Sequence, residues 1–474
     1  MFLRQISDPN LAQYSYLIGC QRSGEAIVVD PERDIDRYQE IASQEGLKIT
    51  AVAETHIHAD FVSGAREFTK CDPSIRLYLS AEGGEQWQSE WAKGFPNLHL
   101  LRDADSFKIG NIELRAIHTP GHTPEHMAYL ITDHGGGANE PIAMLSGDFL
   151  FVGDAGRPDL LEQAAGLEGT QEIGAQSLYK SLRKVAELPC HVQILPAHGA
   201  GSSCGKALGS IPNSTLGYEI KFNPALKLAL TASEEDFVSF ILSGQPEPPA
   251  YFANMKHVNR VGPNIINGLT SPVEMTLDDV VKKSGLKDFV ILDTRDRDSF
   301  LASHFVGSLF APKEKFSDFA GSYLSPDQKI ALLVKEPTQV NDFVRQLIRI
   351  GFDHIVGFIP ATLLPQATET MKTTTPAVRF SEVEALISSN GELQPLDVRK
   401  ATEFALAHLR NAKNIAHTRL LPRLAEIEAN KTLLVTCGTG MRATGALAFL
   451  ARQGMDVVCV NDKFENAPLT ILAR

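Results

Sequence analysis

The sequence predicts a multidomain protein of mixed α/β and α+β class, and three observations support this fold class. Four short apolar runs in the N-terminal half each lead into a loop with histidine or aspartate; they cover residues 49–53, 112–117, 142–145 and 192–195. In the C-terminal half, short apolar runs alternate with stretches of helical periodicity, which is typical of parallel α/β domains. The chain of 474 residues is also long enough for several domains.

The composition excludes several classes of protein. Hydrophobic residues make up 43% and charged residues 22% of the chain, as in an ordinary globular protein. The formal net charge of −12 disfavours binding to nucleic acid or to an anionic membrane, since both attract a positive surface. The first residues lack the apolar core of a signal peptide, so we expect none; there is no apolar stretch of bilayer length, and the six cysteines are scattered rather than patterned. We therefore expect a cytoplasmic protein.

Two loop-like stretches, at residues 244–249 and 373–376, divide the chain. We predict a first domain at residues 1–245, a connector at 246–271, and two further domains at 272–372 and 373–474. The last two domains repeat one set of residues with the same spacing. The set is Asp293, Arg295, Phe300 and His304 in one, and Asp397, Arg399, Phe404 and His408 in the other.

Histidine and aspartate gather in the strand-end loops of the N-terminal half. These side chains are His56, His58, Asp60, His122, Asp148 and His198. One such histidine alone is as readily a hydrogen-bonded structural residue as a ligand, but a cluster of such loops is the usual sign of a metal site. The sequence therefore predicts a metal centre at one edge of this α/β scaffold.

These loops resemble the motifs of the metallo-β-lactamase superfamily, over residues 1–240. The resemblance implies an αββα sandwich with the metal at one edge of the sheets. Dinuclear zinc hydrolases of that superfamily, such as glyoxalase II, carry a further histidine where this chain has Phe61. The departure resembles the persulfide dioxygenase branch of the superfamily.

That resemblance implies one Fe(II) ion per chain, held by His56, His122 and Asp148. Two imidazoles and one carboxylate with open positions suit non-haem iron and O2. The other side chains of the loops are then expected to orient the ligands or the substrate. They are His58, Asp60 and His198.

The segment after Asp148 also resembles persulfide dioxygenases. There the resemblance implies that Arg157 lines the substrate pocket and that Asp159 supports it. A guanidinium suits an anionic persulfide or the carboxylate of its carrier thiol, and a plain surface ion pair is the alternative. Residues 245–259 resemble the end of the same oxygenase domain.

Cys204 follows His198 closely and is expected near the rim of the metal centre. It is interpreted as a substrate-binding thiol that carries or positions sulfane sulfur, with Lys206 lowering its pKa. The alternative is a small buried hydrophobic residue.

Cys437 begins a second chemical motif, between an apolar run and a helical segment. The loop residues after it are Gly438, Thr439, Gly440 and Met441, and Arg442 closes the loop. Backbone N–H groups in such a loop stabilise an anion, so a reactive thiolate is expected. The loop resembles that of rhodanese sulfurtransferases, over residues 376–474, with Asp397 and Arg399 as supporting residues.

The preceding repeat has Lys335 where the second has Cys437, and no cysteine lies between Cys204 and Cys437. Residues 272–372 therefore resemble a rhodanese-like domain that cannot carry a persulfide. Its expected role is docking, orientation or assembly.

Along its whole length the chain resembles persulfide dioxygenase–rhodanese fusion proteins. The resemblance implies an αββα metallo-β-lactamase sandwich followed by two three-layer α/β rhodanese-like domains. It also implies oxidation of a low-molecular-weight thiol persulfide to sulfite by Fe(II) and O2, and transfer of sulfane sulfur from Cys437 to sulfite, which gives thiosulfate. The expected partners are the persulfide, O2 and sulfite, with no nucleic acid and no membrane; a homo-oligomer is an open question, as is the carrier thiol. The alternatives are a glyoxalase II-like zinc thioesterase, and a sulfur carrier or redox sensor with a vestigial metal site.

Overall fold

The structure is a computed structural model that describes residues 1–165, 169–389, 393–428 and 430–473. The chain forms two compact units. The first combines Met1–Gln245 with Phe252–Leu269, and the second combines Pro246–Tyr251 with Thr270–Arg474. Among the described residues, no helix is both long enough and apolar enough to cross a bilayer.

The first unit contains two six-stranded sheets, with strand orders β1-β2-β3-β4-β5-β6 and β12-β11-β10-β9-β8-β7. The strands of the first sheet are β1 Phe2–Asp8, β2 Gln13–Cys20, β3 Glu25–Val29, β4 Lys48–Ala53, β5 Arg76–Ser80 and β6 Leu98–Leu101. Those of the second are β7 Ser106–Ile109, β8 Ile112–His118, β9 Met127–Asp133, β10 Ala143–Gly147, β11 Gln193–Pro196 and β12 Ser214–Thr215. The helices are α1 Asp36–Gln44, α2 Ala65–Cys71, α3 Leu160–Ala165, α4 Thr170–Val185, α5 Leu216–Phe222, α6 Pro224–Thr231, α7 Glu234–Leu242 and α8 Phe252–Val261.

The two sheets face each other, and helices cover their outer faces. Ile27, Val29 and Ala51 join the apolar core between the sheets, whereas their neighbours Val28 and Val52 pack against α1 and α2 on the other face. Because both faces of the central strands are buried, these strands read as continuous apolar runs in the sequence. A separate core lies between the second sheet and helices α4 to α7. This is the predicted αββα sandwich, and the prediction is confirmed.

The strand directions explain why the site residues meet. Strands β4 and β5 run parallel, as do β10 and β11, and β8 runs in the same direction as β10 because β9 is antiparallel to both. The loops after β8, β10 and β11 therefore leave the second sheet at the same edge.

The second unit contains two parallel sheets with helices packed on them, ordered β15-β13-β16-β17 and β19-β24-β23-β20-β22. The strands are β13 Phe289–Asp293, β14 His304–Phe305, β15 Leu309–Phe310, β16 Lys329–Val334, β17 Ile355–Pro360, β18 Lys372–Thr373, β19 Ala377–Val378, β20 Gln394–Asp397, β21 His408–Leu409, β22 Lys413–Asn414, β23 Leu433–Thr436, β24 Val457–Val460 and β25 Leu472–Ala473. The helices are α9 Leu277–Ser284, α10 Arg297–Ala302, α11 Phe316–Tyr323, α12 Val340–Arg349, α13 Phe380–Ser389, α14 Ala401–Leu406 and α15 Met441–Arg452. The predicted alternation of parallel strands and helices is confirmed.

Candidate functional site

Three side chains from three strand-end loops meet at one point of the first unit. His56 follows β4, His122 follows β8 and Asp148 follows β10. One ligand atom from each lies within 4.8 Å of the other two, and all three residues are buried. These are the three residues for which the sequence analysis expects a metal-ligand role.

A hydrogen-bond chain orients His56. The hydroxyl of Thr55 donates to the Asp30 carboxylate over 2.9 Å, so its oxygen accepts from Nδ1–H of His56, also over 2.9 Å. The Nε2 atom of His56 is left with its lone pair, and it is buried with no hydrogen-bond partner in the described part of the chain. Burial, and then the nearby histidines, hold the pKa of His56 well below its usual range. A neutral imidazole aimed in this way is the form that binds a metal.

His122 is fixed in the same manner by a backbone group. Its Nδ1 lies 3.0 Å from the carbonyl oxygen of Arg157 and donates to it. Burial lowers the pKa of His122, although the Asp148 carboxylate opposes that shift. The Nε2 atom therefore carries the lone pair, 3.5 Å from Oδ2 of Asp148.

Asp148 is held through its main chain, which leaves its carboxylate available. Its N–H donates to Nε2 of His126 over 3.0 Å, and Nδ1 of His126 donates to Thr119. Both carboxylate oxygens of Asp148 are buried, and none of the described residues forms a hydrogen bond with them. Gly147 is required before it, because φ is +53° and a Cβ there would lie 2.5 Å from the His126 ring.

His58 lies beside this trio, with its ring centroid 4.3 Å from that of His56, but two carboxylates engage its Nε2. Its Nε2 lies 2.8 Å from Glu54 and 3.3 Å from Asp30. Burial alone would lower the pKa of His58, but these two carboxylates raise it well above its usual range. An imidazolium has no free lone pair for a metal. Phe61 packs against the other side of the ring, with centroids 4.2 Å apart, and is fully buried.

Asn259 of α8 holds the loop that carries these residues. Its side-chain amide donates to the carbonyl oxygens of His58 and Phe61, both over 2.8 Å. Its own carbonyl oxygen accepts the N–H of Ser63 over 2.9 Å. The segment that resembles the end of the oxygenase domain thus packs directly on the metal loop.

A second group of donors lies beside the trio and consists of Asp60, His198 and Cys204. Nε2 of His198 is 3.2 Å from Asp60 and 3.3 Å from Asp148. Burial raises the pKa of Cys204 to about 12, although His198 acts in the opposite direction. Lys206 does not reach the thiol: its ammonium donates to the carbonyl oxygens of Phe240 and Ser243. The expectation that Lys206 lowers the pKa of Cys204 is therefore wrong, since main-chain oxygens hold the amine elsewhere.

Arg157 is buried and bound to the protein around it. Its Nε and Nη2 donate to the two oxygens of Asp159 over 2.9 and 2.6 Å. Its Nη1 donates to the carbonyl of Ser203, next to Cys204, over 3.0 Å. The side chain thus ties the loop after β10 to the loop that carries Cys204, and its carbonyl orients His122.

The trio fits a metal ion. His56 and Asp148 leave lone pairs in a buried site with no partner, which costs free energy unless a cation is bound there. The two histidines are neutral and fixed by Nδ1, as metal-binding histidines are. These observations support a metal site without selecting the element.

Cys437 lies at the start of the loop between β23 and α15. The backbone N–H groups of Gly440 and Ala443 point at its Sγ, at 3.1 and 3.3 Å. Two donors at a helix N-terminus stabilise a thiolate. Gly440 has φ +88°, a backbone conformation that glycine adopts without strain.

Arg442, at the end of this loop, is paired with an acidic side chain. Its guanidinium forms a bidentate pair with Glu403, at 2.7 and 2.8 Å. Arg399 pairs with Asp397 at 2.6 Å, lies over the Phe464 ring, and donates to the carbonyl of Ala407. Both arginines therefore brace the loop and strand end around Cys437.

Sequence reasoning missed several residues that build these sites. They are Asp30, Glu54, Thr55, His126, Asn259 and Glu403. Thr55 directly precedes His56, and His126 follows His122 by four residues, so their closeness to the predicted ligands offered a signal. Asp30 and Glu403 lie far along the chain from the residues that they hold, and nothing in their local sequence marks them.

The fold and both sites define the class of this protein. The family model of the metallo-β-lactamase superfamily matches residues 8–198, and that of the rhodanese-like domain matches residues 380–466. A metallo-β-lactamase structure from Staphylococcus aureus is 39% identical, with a TM-score of 0.67, and the match covers 76% of this chain and 99% of that one. The chain belongs to the metallo-β-lactamase superfamily and continues into a rhodanese-like domain.

Two further relatives differ in their chemistry. The persulfide dioxygenase ETHE1 of Bos taurus is 28% identical over 240 residues, which are 50% of this chain and 79% of the bovine one. A probable polyketide biosynthesis zinc-dependent hydrolase, BaeB of Bacillus velezensis, is 27% identical over 211 residues, which are 44% of this chain and 83% of that one. Since the two identities are nearly equal, the choice between their chemistries depends on individual residues.

Proposed function

We propose that this protein is an enzyme of sulfur metabolism with two activities. The first is Fe(II)- and O2-dependent oxidation of a low-molecular-weight thiol persulfide to sulfite. The second is transfer of sulfane sulfur from Cys437 to sulfite, which gives thiosulfate and detoxifies sulfide and persulfide. The similarity to persulfide dioxygenases and the rhodanese-like domain support sulfur metabolism as the general field.

One observation carries the dioxygenase proposal: two imidazoles and one carboxylate bring buried ligand atoms together at one point of the first unit. These belong to His56, His122 and Asp148, whereas Nε2 of His58 is engaged by two carboxylates and Phe61 offers no ligand atom. Two imidazoles and one carboxylate are the set typical of non-haem Fe(II) oxygenases. A ferrous ion bound there supplies open coordination positions for O2 and for sulfur.

The protein groups around the trio fix its protonation and its position. Asp30 and Thr55 hold Nδ1 of His56, and His126 holds the main chain of Asp148. We assign Arg157 and Asp159 to the wall of the substrate pocket, where their ion pair and the bond from Arg157 to Ser203 hold the loops after β10 and β11 together. Cys204 stays a neutral thiol there, which suits contact with a sulfur substrate better than attack on it.

The sulfurtransferase proposal depends on the loop of Cys437. The N–H groups that face Sγ stabilise the thiolate both before it accepts sulfur and after it gives sulfur away. Domain 272–372 has no cysteine, so we assign it a supporting role. The six free cysteines also suit a reducing compartment, such as the cytoplasm.

Metal content and O2 uptake test the first activity. Anaerobic protein reconstituted with Fe(II) is expected to bind one iron per chain and to consume O2 when a thiol persulfide is added. A panel of persulfides of glutathione, coenzyme A and bacillithiol identifies the carrier. Zinc-loaded protein that consumes no O2, together with inactive iron-loaded protein, overturns the proposal.

The second donor group favours one other candidate, a glyoxalase II-like zinc thioesterase. Asp60, His198 and Cys204 lie next to Asp148, so two ions would lie side by side. Hydrolysis of a glutathione thioester by protein with two zinc ions, without O2 uptake, supports that candidate. Substitution of a residue in this second group is then expected to reduce hydrolysis, because only that group would hold the second ion. A sulfur carrier with a vestigial metal site gains support if no metal binds at all.

A further inference from the structure

The domain without a cysteine contacts the loop of Cys437. The guanidinium of Arg297, at the start of α10, donates to the carbonyl oxygen of Thr439 over 2.6 Å. Its Nη1 also lies 3.1 Å from the place where a Cβ at Gly440 would stand. In the other direction, Arg452 of α15 donates to the carbonyl oxygens of Phe289 and Gly307. The loop and its helix are thus clamped to the neighbouring domain.

Helix α11 of that domain packs on α15. The rings of Phe319 and Tyr323 lie 2.5 and 3.1 Å from where a Cβ at Gly445 would stand, so glycine is needed for the close approach. Tyr323 also stacks on Phe449, with centroids 5.2 Å apart. Gly445 comes one turn after Met441, so these rings lie along the first turns of the helix that the Cys437 loop begins.

The hydroxyl of Tyr323 is buried and has no hydrogen-bond partner among the residues that the structure describes. Burial raises the pKa of Tyr323 well above its usual range; negative charge on Asp318 and Cys437 adds to that shift, and Arg442 opposes it. The phenol therefore stays protonated and remains a hydrogen-bond donor. A buried donor without an acceptor costs free energy, so a ligand that accepts from it is favoured.

We propose that Tyr323 completes the Cys437 site from the neighbouring domain by donating its hydroxyl hydrogen to an oxygen of the anionic sulfur acceptor, sulfite. The inference deepens the proposed function and rests on it. An oxyanion fits because the positive charge of Arg442 lies beside the Cys437 loop, where it pairs with Glu403, and the protonated hydroxyl of Tyr323 offers a donor on the side of α11.

The transfer step balances without an oxidant or a reductant. The lone pair on the sulfur of sulfite attacks the outer sulfur of the Cys437 persulfide anion, and a new S–S bond forms. The bond between that sulfur and Sγ breaks, and its electron pair stays on Sγ as a thiolate. The products are thiosulfate, with two negative charges, and the Cys437 thiolate that Gly440 and Ala443 stabilise. Tyr323 keeps its proton throughout.

Tyr323→Phe in the full chain tests this assignment, since it removes the hydroxyl and keeps the ring stacked on Phe449. Cys437 is first loaded with a thiol persulfide, and loading is measured as one added sulfur atom by mass spectrometry. Thiosulfate formation is then followed against sulfite concentration. A hydrogen bond to a charged group predicts that KM for sulfite rises roughly tenfold, with a smaller change in kcat.

Ser322→Ala is the matched control. It removes a buried hydroxyl from the same helix, and that hydroxyl already donates to the carbonyl of Asp318 over 2.6 Å. A raised KM in Tyr323→Phe alone supports the inference. An unchanged KM in Tyr323→Phe, or the same rise in both variants, overturns it. If wild-type protein loads no sulfur or makes no thiosulfate from sulfite, the proposed function itself fails.

Discussion

Asn259 offers a direct test of how the metal loop is held. Asn259→Ala removes three buried hydrogen bonds, to the carbonyls of His58 and Phe61 and from the N–H of Ser63. At about 1 kcal/mol for each neutral hydrogen bond, the loop loses about 3 kcal/mol of local stabilisation. The loop carries His56, so metal affinity is expected to fall by about 10- to 100-fold, as for other residues that support metal ligands.

Two measurements follow the effect of Asn259→Ala. Competition with a chelator gives the metal affinity, and amide hydrogen exchange gives the local stability, because the Ser63 N–H loses its acceptor and is expected to exchange at least tenfold faster. Asn97→Ala is the control, since the Asn97 side chain donates to the carbonyl of Pro73 near the surface. Unchanged affinity and unchanged exchange at Ser63 would refute the reasoning.

Three further predictions concern single side chains. His56→Ala removes one of the three donors and is expected to abolish O2 consumption with persulfide; uptake at the wild-type rate would contradict the assigned metal site. Cys437→Ser removes the nucleophile, so the product is expected to shift from thiosulfate to sulfite, as measured by ion chromatography, while an unchanged mixture would refute coupling of the two activities. Because burial raises the pKa of Cys204 to about 12, its alkylation in metal-free protein is expected to be slow at pH 7 and to accelerate steadily up to pH 10, and a plateau below pH 9 would show a lower pKa.

Much of the fold could be predicted from the sequence, because local patterns determine it. The strands of the first unit are short apolar runs, and each site loop begins where such a run ends. The residues repeated in the second unit likewise predicted two similar domains with parallel sheets. These signals lie within a few residues of one another, so no knowledge of tertiary contacts is needed to read them.

The supporting residues could not be predicted, because they act across long sequence separations. Asp30 reaches His56 through Thr55 only once β3 and β4 lie side by side. Lys206 is the reverse case, because it is close to Cys204 in sequence but does not act on it. Its ammonium donates to the main-chain oxygens of Phe240 and Ser243, which lie 34 and 37 residues further along the chain. Proximity in sequence is a poor guide for long flexible side chains.

The two repeated domains of the second unit share one set of contacts, although only one of them contains a cysteine. In the domain without a cysteine, Arg295 pairs with Asp293 at 2.6 Å and donates to the carbonyl of Ser303. Arg399 makes the matching contacts with Asp397 and Ala407, at 2.6 Å in both cases. The stacked pairs Phe300–His304 and Phe404–His408 also agree, with centroids 4.0 and 3.8 Å apart.

An arrangement that is also present in the domain without a cysteine does not depend on the Cys437 thiol. The arginine satisfies a buried carboxylate and the carbonyl at the end of the following helix, so it fixes the edge of the sheet in both domains. What distinguishes the Cys437 domain is therefore the loop after β23 and the Glu403–Arg442 pair beside it. Asp397 and Arg399 therefore support the end of the strand, and the proposed sulfur chemistry depends on the thiol and on the donors that face it.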